Sequence, residues 1–171
     1  EAVYALEDTM KAVKALFNND KDLKGAIQKF LDENEAIKKQ VEGFKAQAVE
    51  RTKDKLLSSA TEVNGVKVIK AVLPIDADSA KNLVFKLRES VSSKLLCVIG
   101  STGGNKPLLS VMLSDDMVKE HNLNAGAMVK EAAKLIKGGG GGQPHYASAG
   151  GKDLDGISVA VDKVIELAQL A

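Results

Sequence analysis

The chain has no tryptophan, one cysteine and three prolines, and only 4% of its 171 residues are aromatic. A single cysteine cannot build a disulfide framework, so the fold must hold without covalent staples. With so few rings, the core has to be aliphatic. Charge of one sign is also missing: 24 Lys and Arg face 23 Asp and Glu, for a net +1. Bulk basicity therefore gives no argument for nucleic acid, and neither the first sixty residues nor the remainder is a polycation. Any phosphate partner has to be met by a local patch. The longest apolar run, Leu95 to Ile99, falls far below the ~18 residues of a membrane span. No secretory signal is visible, and a reducing, cytoplasmic setting without membrane attachment is expected. The first residue is Glu1, already within a helical pattern, so the chain reads as a piece of a longer protein.

What is present falls into two regions. From Glu1 to about Ala60 no proline occurs. Val3, Leu6, Met10, Val13 and Phe17 recur at spacings of three and four, and after Asn18-Asn19-Asp20 the pattern restarts with Leu23, Ile27, Phe30, Asn34, Ile37, Val41, Phe44 and Ala48. That spacing lines one narrow stripe of a helix, as in a coiled-coil seam. The phase jump at Asn18 to Asp20 predicts a helix stop and a new cap. Residues 1–60 are expected to form an antiparallel helical hairpin whose second helix outruns the first. The stripe is then the hairpin's own seam, or, where the longer helix has no cover (Val41, Phe44, Ala48, Leu56, Leu57), a surface for self-association or for packing on other parts of a parent protein.

From about Thr61 the period changes. Val66 to Leu73 reads as a strand ended by Pro74, and Ala77 to Ser92 as a helix with Asp78 or Ser79 as cap. Lys94 to Gly100 and Lys106 to Leu113 read as a hairpin across Ser101-Thr102-Gly103-Gly104-Asn105. Ser114 to Asp116 caps a short helix, Asn124 to Ile136 is another, and the chain closes as helix from Asp155 or Ser158 to Leu170. The fold class expected for the whole is α/β (α+β), with residues 61–171 a small mixed-sheet domain and its helices on one side.

Between the last two helices lie five consecutive glycines, Gly138 to Gly142, followed by Gln143-Pro144-His145-Tyr146-Ala147-Ser148-Ala149-Gly150-Gly151-Lys152-Asp153. Glycine loses more backbone freedom on folding than any other residue, so such a run implies a tether or a backbone that must approach something closely. Its apolar flanks favour a packed loop over a linker. The segment fails the Walker template, because Asp153 stands where Ser or Thr should follow Gly-Lys, and it fails the dinucleotide fingerprint, because Gln143 and His145 occupy the third-glycine places. Consecutive glycines can still turn several amides toward one anion, with Lys137 and Lys152 alongside; equally, they can serve tight packing alone. His145 beside Tyr146 suits stacking on a base or sugar, or a structural imidazole. Cys97 lies within an apolar strand and reads as a small hydrophobe. Only two histidines occur, His121 and His145, far apart, and no His-plus-carboxylate set has metal spacing. No self-sufficient active site is legible.

Taken in order, Ser110-Val111-Met112-Leu113-Ser114, Asn124-Ala125-Gly126-Ala127-Met128-Val129-Lys130-Glu131, the glycine run with Gln143-Pro144, and Ala147-Ser148-Ala149-Gly150-Gly151-Lys152-Asp153 closely resemble the carboxy-terminal domain of alanyl-tRNA synthetase. The globular part also resembles the DHH-associated domain that accompanies some phosphoesterases. The resemblance covers essentially the whole chain, and it is specific in the last sixty or so residues. The chain departs from the family at Gln143, where Arg or Lys is common, and at His145, where Asp is; main-chain amides are then the expected grip on phosphate.

The resemblance implies a non-catalytic module that binds tRNA-Ala at the outer corner of its L, links the aminoacylation and editing sites of the parent enzyme, and is able to dimerise through its helices. ATP, Mg and Zn would belong to the parent, an alanine–tRNA ligase, with no cofactor in this piece. The expected RNA contacts are Lys106, Lys137, Gly139, Gly140, Gly141, Gly142, His145, Tyr146, Gly151 and Lys152. The expected dimerisation residues are Ile37, Val41, Phe44 and Ala48. Two other readings stand beside this: a dimerisation device with a passive globular part, and a nucleotide-gripping domain of a DHH-type phosphoesterase.

Overall fold

The computed structural model describes residues 2–170. The chain divides into two units, Glu1–Lys45 and Ala46–Ala171. The expected break near residue 60 thus falls earlier. The reason is packing: Val49 and Leu56, in the last turns of the second helix, are buried in the core of the globular unit.

The first unit holds α1 (Ala2–Leu16) and the opening part of α2 (Leu23–Ser58). Asn18 and Asn19 take left-handed φ of 55° and 58° and end α1, a conformation that asparagine tolerates better than most residues. The cap of α2 is Asp22, whose Oδ1 accepts the Gly25 N–H at 3.0 Å. It lies beyond the expected Asn18–Asp20 because those residues are committed to the reversal. Phe17 and Phe30 meet edge-on, centroids 6.0 Å apart, and Val13, Phe17, Leu23, Ala26 and Ile27 are half-buried around the turn. Away from the turn the stripe is bare. Leu6 is 65% exposed, Ile37 59% and Phe44 70%, so the unit covers its own seam only beside the reversal.

The second unit is built on a six-stranded sheet of order β1-β2-β3-β4-β6-β5. The strands are β1 (Thr61–Val63), β2 (Val66–Leu73), β3 (Leu95–Ser101), β4 (Leu108–Leu113), β5 (Gly139–Gly142) and β6 (Tyr146–Gly150). Only β2 and β3 run parallel; every other pair is antiparallel. Strand β1 was not expected. It pairs with β2 through Asn64 and Gly65, both at positive φ, the type I′ hairpin geometry that Asn-Gly favours.

The crossover from β2 to β3 is α3 (Ala77–Ser90), capped by Asp76, whose side chain accepts the Ser79 N–H. Asp78 and Ser79, the expected caps, fall in its first turn. Helices α4 (Asp115–Lys119), α5 (Ala125–Ala133) and α6 (Ile157–Leu167) complete the unit. Ser114 starts α4 without a side-chain cap bond; its Oγ instead accepts the Leu95 N–H at 2.9 Å and ties α4 to β3.

Helices cover both faces of this sheet, not one as expected. Period-two alternation sends Val98, Leu109, Val111, Ala147 and Ala149 toward α5 and α6 and Cys97, Ile99 and Met112 toward α3 and the end of α2. The second face was hidden from the sequence because its cover comes partly from a helix that reads as belonging to the hairpin. Leu56 and Leu57, expected to be uncovered, pack there.

Glu50 anchors those last turns of α2. Its carboxylate accepts from Lys53 Nζ at 2.7 Å and from Lys86 Nζ on α3. These bonds, Lys53 first, hold its carboxyl down at about 2 against an ordinary 4.5. A depressed folded value means stability that is present above pH 4.5 and lost as pH falls toward 2. The pair is partly exposed, so solvent screens it and the effect is small. Glu50→Gln is expected to lower the thermal midpoint slightly at pH 7 and not at pH 2; equal shifts at both would disprove the linkage.

Candidate nucleic-acid interface

Helix α5 starts at Asn124, whose Oδ1 accepts the Ala127 N–H at 3.0 Å. It runs into a 3-10 turn, Lys134–Ile136, which ends at Lys137 with φ 51° and ψ 47°. The glycines follow, and they are not the expected loop. They form β5, an edge strand paired residue for residue with β6, from Gly139 opposite Gly150 to Gly142 opposite Ala147.

Glycine is needed at alternate positions for a steric reason. A Cβ on Gly138 would lie 1.9 Å from Gly150 O, on Gly140 2.1 Å from Ser148 O, and on Gly142 2.5 Å from Tyr146 O. At Gly139 nothing lies within 4 Å, and at Gly141 only the Lys130 Cε, at 3.6 Å. The main chain of β6 thus occupies the space where every second side chain of β5 would stand.

The main-chain donors are largely committed. Gly138 N–H donates to Ala133 O, Gly151 N–H to Pro107 O, and the Lys152 and Asp153 N–H groups to Ile136 O, all within 3.0 Å. Gln143 N–H donates to Tyr146 O at 2.8 Å. Stepping by two from that pair, the antiparallel alternation sends the Gly141 and Gly139 amides into β6 and leaves those of Gly140 and Gly142 on the open edge. None of Gly138 to Gly142 has positive φ, so the alternating-handed turn that makes an anion nest is not formed. The expected main-chain grip is therefore corrected: two amides face outward, two residues apart, and they do not converge.

Three lysines line one concavity instead. Lys106 from the β3–β4 connection, Lys137 from the reversal before β5 and Lys152 from the β6–α6 connection line one shallow concavity of ≈ 380 Å³, with Gly138, Gly139, Gly150 and Gly151 as the rest of its wall. No acidic residue lines it. Lys137 Nζ meets Asp153 Oδ2 at 3.0 Å, and that bond holds the Asp153 carboxyl below its usual range. Five of the ten expected RNA contacts (Lys106, Lys137, Gly139, Gly151 and Lys152) thus gather at one end of the β5–β6 hairpin.

The others are spread away from it. Gly140 to Gly142 run along the edge, and His145 and Tyr146 sit at the far end, roughly 13 Å away at 3.3 Å per residue. There the His145 carbonyl accepts the Leu113 N–H and the Pro144 carbonyl the Ala125 N–H, each at 2.8 Å. The His145 side chain is exposed. Tyr146 is half-buried against Phe85 of α3, centroids 5.0 Å apart.

A family model described as the DHHA1 domain matches residues 64–170. The chain belongs to the DHHA1 domain family. The match takes in the sheet from the β1–β2 turn onward, including all ten expected RNA contacts. Over 98% of its length the chain is 51% identical to an alanine–tRNA ligase of Bacteroides fragilis and 37% identical to one of Porphyromonas gingivalis. It spans only 19% of those relatives. Among solved structures it is similar to the C-Ala domain of Aquifex aeolicus alanyl-tRNA synthetase, with TM-score 0.55 and 27% identity over 65% of this chain and 96% of that one. The expected likeness to the carboxy-terminal domain of that synthetase is met. A DHH-domain protein of the s1p family of ribosomal proteins, at TM-score 0.50 and 16% identity over 79% of this chain and 33% of its own, shares the fold alone.

Elsewhere in this DHHA1 domain, Cys97 is fully buried and burial pushes its thiol up to about 12; it packs in the α3-side core as a hydrophobe. Among the described residues no group of three His, Cys, Asp or Glu is placed to hold a metal ion, and no helix is long and apolar enough to cross a membrane. Sequence reasoning missed Gly138 and Gly150 in the concavity wall, Asp153 as the partner of Lys137, and Phe85 against Tyr146. Asp153 had a signal, as the residue next to Lys152; Phe85 had none, being one apolar position of a helix. The alternation in β5 gives a paired test. Gly140→Ala should cost about 1–3 kcal/mol in urea unfolding through overpacking, whereas Gly139→Ala should stay within about 0.5 kcal/mol. Equal costs would refute the geometry of the β5–β6 pair.

Proposed function

We propose that this chain is a non-catalytic, tRNA-contacting module of an alanine–tRNA ligase, which meets the outer corner of tRNA-Ala and joins the aminoacylation and editing sites of its parent. Its partners are then the RNA and the rest of the synthetase, in the cytoplasm, with ATP, Mg and Zn serving other parts of that enzyme. The alanine–tRNA ligase relatives and the C-Ala domain neighbour support this class of partner. The single observation that carries the reading is the meeting of Lys106, Lys137 and Lys152, from three separate connections, over a floor of glycines. A chain of net charge +1 can hold a phosphate backbone only where cations are concentrated locally. A surface without projecting side chains also lets a folded RNA be read by shape, through its backbone and riboses.

The test is Lys137→Glu with Lys152→Glu, assayed against an alanine tRNA transcript across a salt series. Affinity should fall, and the slope of log K against log salt should flatten by roughly 0.9 for each phosphate no longer neutralised. Binding indistinguishable from wild type would put the RNA on another surface.

A second reading rests on its own observation. Ile37, Val41 and Phe44 are 59%, 44% and 70% exposed along one stripe of α2, and the stripe continues to an exposed Ala48. Such a stripe suits a helix-to-helix dimer with the globular part passive. Ile37→Glu with Val41→Glu should convert a sedimenting dimer to monomer and leave tRNA affinity unchanged. A wild-type chain that sediments as a strict monomer at high micromolar concentration would remove this reading.

A further inference from the structure

We infer that the three-lysine concavity is a seat for a single phosphate group and that Asp153, although negatively charged, strengthens the seat by positioning Lys137. The inference rests on the RNA-contacting reading above and deepens it by naming the group bound and a residue that acts through another.

The concavity is a built site more than a patch. Its wall comes from three connections that the main chain ties together: Gly151 N–H to Pro107 O joins the β6–α6 segment to the loop bearing Lys106, and Lys152 and Asp153 N–H, both to Ile136 O, join it to the turn bearing Lys137. Gly139 and Gly150 face each other across the β5–β6 ladder, and neither would bring a Cβ within 4 Å of anything. The floor at those two positions is therefore open, leaving room for a tetrahedral anion to approach the main chain in a concavity that three lysines line. Lys106 and Lys152 make no ion pair among the described residues. Their charge is available.

Lys137 differs. It sits at a left-handed position, its side chain is 75% exposed, and without a partner its long stem would sample many rotamers. Asp153 Oδ2 holds its Nζ at 3.0 Å. The other oxygen, Oδ1, accepts the Asp155 N–H at 3.2 Å, and the Asp153 side chain is only 28% exposed. The carboxylate is thus fixed from behind and steers the lysine. An ammonium has three donors, so one bond to Asp153 leaves two for the phosphate. Three lysines and no acidic residue line the concavity, so removing Asp153, the partner of Lys137, would make the seat more positive.

That gives two opposed expectations. If Asp153 were only a nearby negative charge, Asp153→Asn would tighten binding to a polyanion. As a positioning residue, its loss frees Lys137 and should weaken binding about two- to fivefold, the range an exposed, oriented ion pair supports. The experiment measures binding of the 171-residue chain to an alanine tRNA transcript at fixed salt for wild type, Asp153→Asn, Asp153→Glu and Lys137→Ala, and for Asp153→Asn combined with Lys137→Ala. Weaker binding by Asp153→Asn, recovery by Asp153→Glu, and no further loss from Asp153→Asn in the Lys137→Ala background support the inference. Inorganic phosphate should compete with the RNA for wild type and compete less well for Asp153→Asn. Equal or tighter binding by Asp153→Asn overturns it. So does an equal loss with and without Lys137, which would mark Asp153 as a structural prop of the β6–α6 connection. If Lys137→Glu with Lys152→Glu leaves RNA binding intact, the surface itself is wrong; if that pair abolishes binding while Asp153→Asn tightens it, only the positioning role fails.

Discussion

The close approach of two main chains, β5 against β6, governs the glycine-rich end of the globular unit. Where the carbonyls of Tyr146, Ser148 and Gly150 occupy the space of a Cβ on Gly142, Gly140 and Gly138, no other residue can stand without pushing the chains apart. Glycine is costly in a strand, because it gives up the most backbone freedom and contributes no side chain to packing. The hairpin is held by what surrounds it: α5 covers one face, with Gly126 near enough that a Cβ there would lie 3.0 Å from Gly142 O, and the 3-10 turn binds the β6–α6 segment through the Ile136 carbonyl.

The lysine seat follows from the same constraint. Lys106, Lys137 and Lys152 are distant in sequence and meet only because β5 turns back from α5 beside the end of β6. A protein with almost balanced charge can in this way present a small region of one sign. Some of the balance elsewhere is local, as in the Lys134 pair with Glu131 and the Lys163 pair with Glu166, where each cation is met on its own helix or the turn that continues it. At the seat, among the described residues, only Lys137 of the three cations has an ion-pair partner.

Much of the architecture was legible because side-chain periodicity carries it. The three-four stripe of Leu23 to Ala48 gave α2, the apolar run Leu95 to Ile99 gave β3, and Asn124 gave the start of α5. Legibility ended where glycine removes the pattern. A strand made of Gly139 to Gly142 has no alternation to read, so β5 was expected as a loop, and with it went β6 and the commitment of the amides. The Asn64-Gly65 turn was a readable signal passed over. The lysines could be nominated from their closeness to the glycines, but their meeting at one place, and the bond from Asp153 to Lys137, are tertiary facts that spacing does not encode. The burial of Leu56 and Leu57 was unreadable for the same reason, since a helical stripe does not say which of its turns a sheet will cover.

Amide hydrogen exchange across Gly138 to Gln143, read residue by residue by NMR, tests the central claim most directly. A rigid edge strand committed to β6 predicts alternation, with slow exchange at Gly139, Gly141 and Gln143 and fast exchange at Gly140 and Gly142. Uniformly fast exchange through the run would mean an unpaired tether, and would contradict both the strand and the lysine seat that depends on it.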